Sequence, residues 1–341
     1  MAILEVEGVR KEYDGFTAVE GSSFAIERGE VFGVVGPNGA GKTTTLKMLA
    51  GLVEPTAGTA VVAGYTPGER AMQRTLGFLP EESPLYEEMT AVDYLEFFAD
   101  LYDVPDAVAA ERIESSLDRL ELEHRERRIG NMSKGMKRKV AIARALINDP
   151  EVLIFDEPAS GLDPLTTNHV IEFTEELSEE GKTVVFSAHN LFHVESVCDR
   201  VVIMNDGRIV ARGSLDEIRD EHGGTEYHVY ATVDGSDGLE DGHDGRVETD
   251  VDETGSVRHV VADMDAVDAI RETVEARDGR VTDIQTETPS LEDIFLEVAG
   301  GTEPDAERRR DDGDGTGRSE SEPDGGDDET DSSESERVVD A

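Results

Sequence analysis

The chain is expected to fold as an α/β protein on a mainly parallel sheet, followed by a small α+β domain. Three observations lead there. Almost continuously apolar runs at 31–35, 152–155, 183–186 and 200–203 are separated by stretches long enough for crossover helices. That is the pattern of parallel strands buried on both faces. Glycines crowd the turn between the first of these runs and a helix-prone segment. Near Gly223-Gly224 the texture shifts to shorter strand patterns with Asp/Gly-rich turns. With 341 residues there is room for about two domains at roughly 150 residues each.

In order along the chain, residues 3–6 and 23–26 read as short strands bounded by glycine and charge. Val31-Phe32-Gly33-Val34-Val35 is a doubly buried strand, then comes the glycine-rich turn, then a helix over 43–49. From about 84 to 130 the pattern becomes helical: Tyr94, Leu95, Phe97, Phe98, Leu101 and Tyr102 recur at helical spacing, and Ile113, Leu117 and Leu120 do so further on. This is a helical insertion into the first domain, residues 1–222. Residues 226–263 read as three short strands, followed by a helix over 264–277, a strand over 281–285 and a last helix from Ser290. They form the predicted α+β domain, 223–300. Beyond Gly301 almost nothing is apolar, so residues 301–341 are expected to be a disordered acidic tail, too polar to offset the entropy of ordering.

Charge narrows the classes of function. Acidic residues outnumber basic ones 78 to 32, a net charge of −46. Phosphate backbones are held by positive surfaces, so no nucleic-acid partner is expected. The tail carries 16 acids and 5 bases, leaving −35 on the first 300 residues, and only 7 of the 32 bases are lysine. A salt-loving host accounts for such a surface, because at molar salt the Debye length falls to about 3 Å. An ordinary acidic protein from an arginine-rich genome is the other reading. The single cysteine, Cys198, excludes a disulfide framework and a multi-cysteine zinc module. No apolar run approaches the roughly 20 residues of a spanning helix, and the N-terminus lacks a signal-peptide pattern. A soluble, intracellular protein is expected.

Gly36-Pro37-Asn38-Gly39-Ala40-Gly41-Lys42-Thr43 fits a phosphate-binding loop between a strand and a helix. Its glycines let backbone N–H groups turn onto phosphates at the positive end of the helix. Lys42 is placed to reach the terminal phosphates and the Thr43 hydroxyl to ligate Mg²⁺. Gly-Lys-Thr at the helix start favours this over a dinucleotide fold. Val152-Leu153-Ile154-Phe155-Asp156-Glu157 is a buried strand ending in two carboxylates. Asp156 supports Mg²⁺ directly or through water, and Glu157 acts as general base or orients the attacking water. Between them, Asn131-Met132-Ser133-Lys134-Gly135-Met136 leads into Lys137, Arg138 and Lys139, a basic outlier in an acidic chain. It reads as a solvated helix face or as an anion site made by the Ser133 hydroxyl, the Gly135 backbone and a helix N-terminus.

This ordered set resembles the ATPase subunit of ATP-binding cassette (ABC) transporters over about residues 1–222. The resemblance implies a P-loop NTPase of ABC type, with a mainly parallel sheet, an antiparallel β subdomain and the helical insertion. It implies ATP and Mg²⁺ as cofactors. ATP is held by Gly36, Pro37, Asn38, Gly39, Ala40, Gly41, Lys42, Thr43 and Thr44, with Tyr13 stacked on the adenine. Mg²⁺ is held at Thr43, Asp156 and Glu81, and catalysis falls to Glu157, His189 and Lys42. Ser133-Lys134-Gly135 looks like the family's signature loop, Ser160-Gly161-Leu162-Asp163 like its D-loop and His189 like its switch histidine. Two cassettes, as a homodimer or pseudo-dimer, would sandwich ATP so that Ser133 and Gly135 complete the site in trans. A separate transmembrane permease subunit is the implied partner, with the region around Tyr86 to Tyr102 as its docking surface and the cytoplasmic face of the membrane as the location.

Two departures matter. Lys134 and Met136 replace the second Gly and the Gln of the usual signature, and Glu81 falls where the family carries a glutamine. Both look like the branch of export systems for drugs, sodium ions or polysaccharides. Pro289-Ser290-Leu291-Glu292-Asp293-Ile294-Phe295-Leu296 looks like the end of a domain often appended in that branch. An importer ATPase with a C-terminal regulatory domain, or a soluble non-transport ABC ATPase, are the alternatives. His189, His193 and Cys198 are not read as a metal site, because no glutamate follows the first histidine. Cys198 reads as a small buried side chain on a helix.

Overall fold

The computed structural model describes residues 2–222, 224–232, 249–251 and 256–300. Strands β1 (Ala2–Tyr13), β2 (Phe16–Glu27) and β3 (Val31–Val35) precede helix α1 (Lys42–Leu49). Then come β4 (Ala57–Val62), α2 (Arg70–Thr75), β5 (Leu76–Leu79), α3 (Ala91–Leu101), α4 (Asp106–Arg119) and α5 (Lys134–Leu146). The cassette continues through β6 (Val152–Phe155), α6 (Pro164–Glu179), β7 (Thr183–Ala188), α7 (Leu191–Val197), β8 (Arg200–Asn205), β9 (Arg208–Ser214) and α8 (Leu215–His222). The last elements are β10 (Glu226–Thr232), β11 (Thr249–Val251), β12 (Ser256–Val261), α9 (Met264–Glu275), β13 (Arg280–Glu287) and α10 (Leu291–Gly300).

The central sheet has the order β5-β6-β7-β3-β8-β9 and is parallel except at β9. Its strands are buried on both faces, and alternate residues enter two different cores. Val35, Phe155, Phe186 and Ile203 face the helical layer, while Val34, Ile154, Val185 and Val202 face α1 and the antiparallel strands. This explains why the strands read as continuous apolar runs rather than alternating ones. The second sheet, β2-β1-β4, is antiparallel. Its β1–β2 hairpin turns at Asp14-Gly15, both with positive φ, the twist a two-residue turn requires. Both strands are longer than the four-residue patterns in the sequence, because alternation breaks at irregularities between Val6 and Lys11.

The helical insertion enters after β5. It is closed at its neck by the Thr90–Arg128 bridge and by the Ile129 N–H donating to the Met89 carbonyl at 2.9 Å. Thr90 and Asp93 form a capping box that starts α3. Tyr94 and Leu95 are buried, each contributing about 1.5–3 kcal/mol of transfer free energy. Phe97, Leu101 and Tyr86 remain exposed on the same insertion. The periodic apolar row is therefore wider than the core it serves.

The antiparallel sheet β11-β12-β10-β13 with α9 closes on its own small core of Val229, Ala231, Val267, Ile270 and Val274. Within the described residues this agrees with the three strands, helix and strand read from the sequence. The expected tail, 301–341, lies outside the described residues. Cys198 is buried, but one residue past α7, with its sulfur against Gly33 in the core. Among the described residues no helix is long and apolar enough to cross a membrane.

Candidate active site

The phosphate loop runs from the end of β3 to the start of α1. At Gly36 (φ 147°) an added Cβ would lie 2.2 Å from the Met204 carbonyl oxygen, and at Gly41 (φ 100°) 2.5 Å from that of Ala18. Close backbone approach and a left-handed conformation both demand glycine at these two positions. Pro37, Asn38 and Gly39 are exposed, Ala40 is buried beneath them and Thr44 lies half-buried on α1. No side chain caps α1. Its first-turn amides are thus left for an anion, at the end where the helix dipole favours one. Lys42 is buried; its Nζ donates to the carbonyls of Gly36 (2.7 Å) and Pro37 (3.2 Å) and stands 3.4 Å from Glu157 Oε1.

Parallel pairing of β6 with β7, Phe155 beside Phe186, brings the next residues of both strands level. Asp156 Oδ1 accepts from Ser187 Oγ (2.7 Å) and Thr43 Oγ1 (3.3 Å). Glu157 sits at φ 48°, a left-handed conformation that costs a non-glycine residue about 1 kcal/mol or more. Its N–H donates to Ser187 Oγ (2.9 Å), and its Oε2 lies 2.7 Å from His189 Nδ1. One buried carboxylate therefore faces Lys42 on one side and a half-exposed histidine on the other.

Asp156 Oδ2 is buried with no hydrogen-bond partner among the described residues. Such an orphan acceptor is costly, and a hard divalent cation is a fitting partner for it. With the Thr43 hydroxyl beside Asp156, the oxygen donor set suits Mg²⁺. Glu81 is exposed, and its backbone carbonyl, rather than its carboxylate, is tied into the site region by Arg138.

Arg138 departs from the reading of the basic run that opens α5 as a solvated helix face. It is buried, and its guanidinium donates to the carbonyls of Pro158 (2.7 Å), Pro80 (2.7 Å), Glu81 (3.0 Å), Asp156 (3.0 Å) and Glu157 (2.8 Å). Burial pushes its pKa down to about 10, partly opposed by the Asp156 carboxylate. Lys137 pairs with Glu87 at 2.8 Å, and Lys139 bonds His169 at 3.4 Å. Arg138 is thus spent within the fold, on the part of α5 that packs against β5, while Lys134 stays exposed. Arg138 and Ser187 are the residues sequence reasoning did not give these roles. Only strand register places Ser187 beside Asp156.

Ser133 caps α5, accepting from the Met136 N–H at 3.2 Å, which leaves its own O–H to donate. A Cβ on Gly135 would meet Thr166 at 3.2 Å, so this loop lies against the start of α6. Tyr13 is 44% exposed at the end of β1, with Lys11 Nζ 5.0 Å over its ring. It pairs with Phe16, close in the chain to Ala18, whose carbonyl abuts Gly41.

Residues 19–160 match the family described as ABC transporter, and residues 213–299 match the ATP-binding protein DrrA1-3-like, C-terminal domain. The linearmycin resistance ATP-binding protein LnrL of Bacillus subtilis is 38% identical over 65% of this chain and 72% of that one. The ABC transporter ATP-binding protein NatA of the same organism is 42% identical over 59% of this chain and 83% of its own. Across such relatives the chain spans from 64% to 83% of their length. The solved structure of an ATP binding subunit of an ABC transporter superposes with a TM-score of 0.60 at 36% identity, over 65% of this chain and 93% of that one.

Proposed function

We infer the function from one premise: the chain belongs to the ABC transporter ATP-binding family. It is an ATPase subunit that energises a separate transmembrane permease from the cytoplasmic face of the membrane, by ATP-driven dimerisation of two cassettes. The relatives named for linearmycin resistance and as NatA support export over import. The division into a cassette over 1–222 and a small α+β domain over 223–300 is supported by the separate small core around Val229 and Val267. The exposed Tyr86, Phe97 and Leu101 are the proposed permease-docking face, since so many exposed large apolar side chains together mark an interaction site.

The observation that carries the reading is the convergence on Glu157 of Lys42 and His189, beside Asp156 and Thr43. The phosphate loop amides and Lys42 bind the terminal phosphates, and Tyr13 stacks on the base. Phosphate oxygens compete with Glu157 for Lys42, so binding frees one oxygen of that carboxylate to take a proton from the attacking water. His189 holds the other oxygen and orients it. Thr43 and Asp156, with Glu81 as the further candidate ligand, would hold Mg²⁺, which would supply charge neutralisation at the phosphates. Ser133 and Gly135 of a second cassette close the site. The surplus of acid over the folded part is proposed as an adaptation to high salt.

The test is Mg²⁺-dependent ATP hydrolysis by the purified chain. Glu157→Gln should bind ATP and fail to turn it over; full activity in that variant would remove Glu157 from its assigned role.

A further inference from the structure

Helix α10 follows the small C-terminal sheet in sequence, yet its inner face belongs to the cassette. Leu291 and Ile294 of α10 are buried in the same core as Val194 of α7 and Ile218 of α8. The sheet and α9 close on a different core. Ser290 and Asp293 form a capping box that starts α10, with the Ser290 N–H and O–H donating to the Asp293 carboxylate at 3.0 and 2.6 Å. The next amide, Leu291 N–H, donates to Glu195 Oε1 of α7 at 2.6 Å. The same oxygen stands 3.4 Å from Arg219 of α8. Three helices therefore meet at one carboxylate.

Helix α7 leads directly out of the His189 loop and has only seven residues. A helix that short has little stability of its own, so packing sets its position. One side lies against β3, β7 and α6, and another against α10. A cleft of about 470 Å³ brings Gly36 and Pro37 of the phosphate loop, His189 and Asn190 together with Phe295 and Leu296 of α10. Thus α10 reaches the edge of the phosphate loop.

We propose that α10 positions the histidine loop: through Glu195 and the buried Leu291–Ile294 face it holds α7 where His189 meets Glu157. Glu195 is then a positioning residue, and the small C-terminal sheet, joined to α10, is mechanically linked to hydrolysis. This rests on the ATPase reading of the His189–Glu157 pair.

The experiment uses the full chain with Glu195→Ala, Glu195→Gln and the His189→Ala background. Glu195→Ala should lower kcat for ATP by roughly 2- to 30-fold, the range for couplings carried through packed elements, with KM for ATP unchanged. Glu195→Gln keeps an acceptor for Leu291 N–H and should recover much of that loss, which also separates positioning from misfolding. In the His189→Ala background, Glu195→Ala should add no further loss. In ¹⁵N-histidine spectra, the His189 ring signal should move in Glu195→Ala and return toward its place in Glu195→Gln. Wild-type kcat together with an unmoved His189 signal in Glu195→Ala overturns the proposal. A wild-type chain without hydrolysis would instead overturn the assigned activity, while the histidine spectra still decide whether α10 positions His189.

Discussion

Replacing Arg138 with methionine removes the guanidinium while keeping an apolar stem in its channel. Three of the acceptors it serves are buried, the carbonyls of Asp156, Glu157 and Pro158. A buried acceptor left without a donor costs about 1–3 kcal/mol. The Glu157 carbonyl also accepts from Ser160 N–H at 3.1 Å, so its loss is partial. Relief from burying the guanidinium, visible in its lowered pKa, offsets part of the remainder. The expected loss is about 2–4 kcal/mol, or roughly 5–15 °C in Tm for a domain of this size. Urea unfolding measures the stability and steady-state ATP hydrolysis the rate. Hydrolysis should fall as well, because Asp156 and Glu157 are anchored through the same guanidinium. Arg138→Lys should recover only part of both, since one ammonium cannot span the Pro80 and Pro158 sides of the fork. A Met variant within about 0.5 kcal/mol of wild type, the ordinary size of a surface effect, with unchanged hydrolysis, would refute the reasoning.

Glu157→Gln should lower the hydrolysis rate by about 10²–10⁴-fold, the usual contribution of a general base, while retaining ATP binding by fluorescence titration. Lys42→Ala should lose the binding itself. His259 is buried in the C-terminal domain, and burial lowers its pKa below the ordinary value. Its unfolded state binds more protons in the window from its folded pKa up to about 6.5. Stability of that domain should therefore rise with pH across this window and fall as the pH drops through it. Thermal melts from pH 7 to 5 should show the slope, and His259→Phe should flatten it. Finally, ATPase activity should hold or rise as NaCl increases toward molar concentration; best activity in dilute buffer would count against the high-salt proposal alone.

Much of the site was legible because its chemistry is local. The strand-loop-helix order around Gly36 to Thr43 and the Asp156-Glu157 pair need only neighbours in sequence to be recognised. The Asp14-Gly15 and Asp206-Gly207 hairpin turns were equally readable, since both residues of each carry positive φ, but the sequence reading passed over them. Arg138 was legible as a base and illegible as an anchor. Its partners lie 18 to 58 residues away, and only the packing of α5 on the sheet decides whether a basic residue meets phosphate, water or carbonyls.

By itself the amino-acid order determined the cassette class, the alternation of strand and helix, and the residue types that can bind phosphate and Mg²⁺. Local backbone sterics and hydrophobic periodicity act over a few residues, so they are written in the chain. The tertiary structure alone decided that Ser187 bonds both Asp156 and the Glu157 amide. It also decided that Arg138 is consumed internally, and that α10 closes on the first domain's core. Those outcomes depend on strand register and on which faces compete for burial. Both are set by contacts between residues far apart, and no local pattern encodes them.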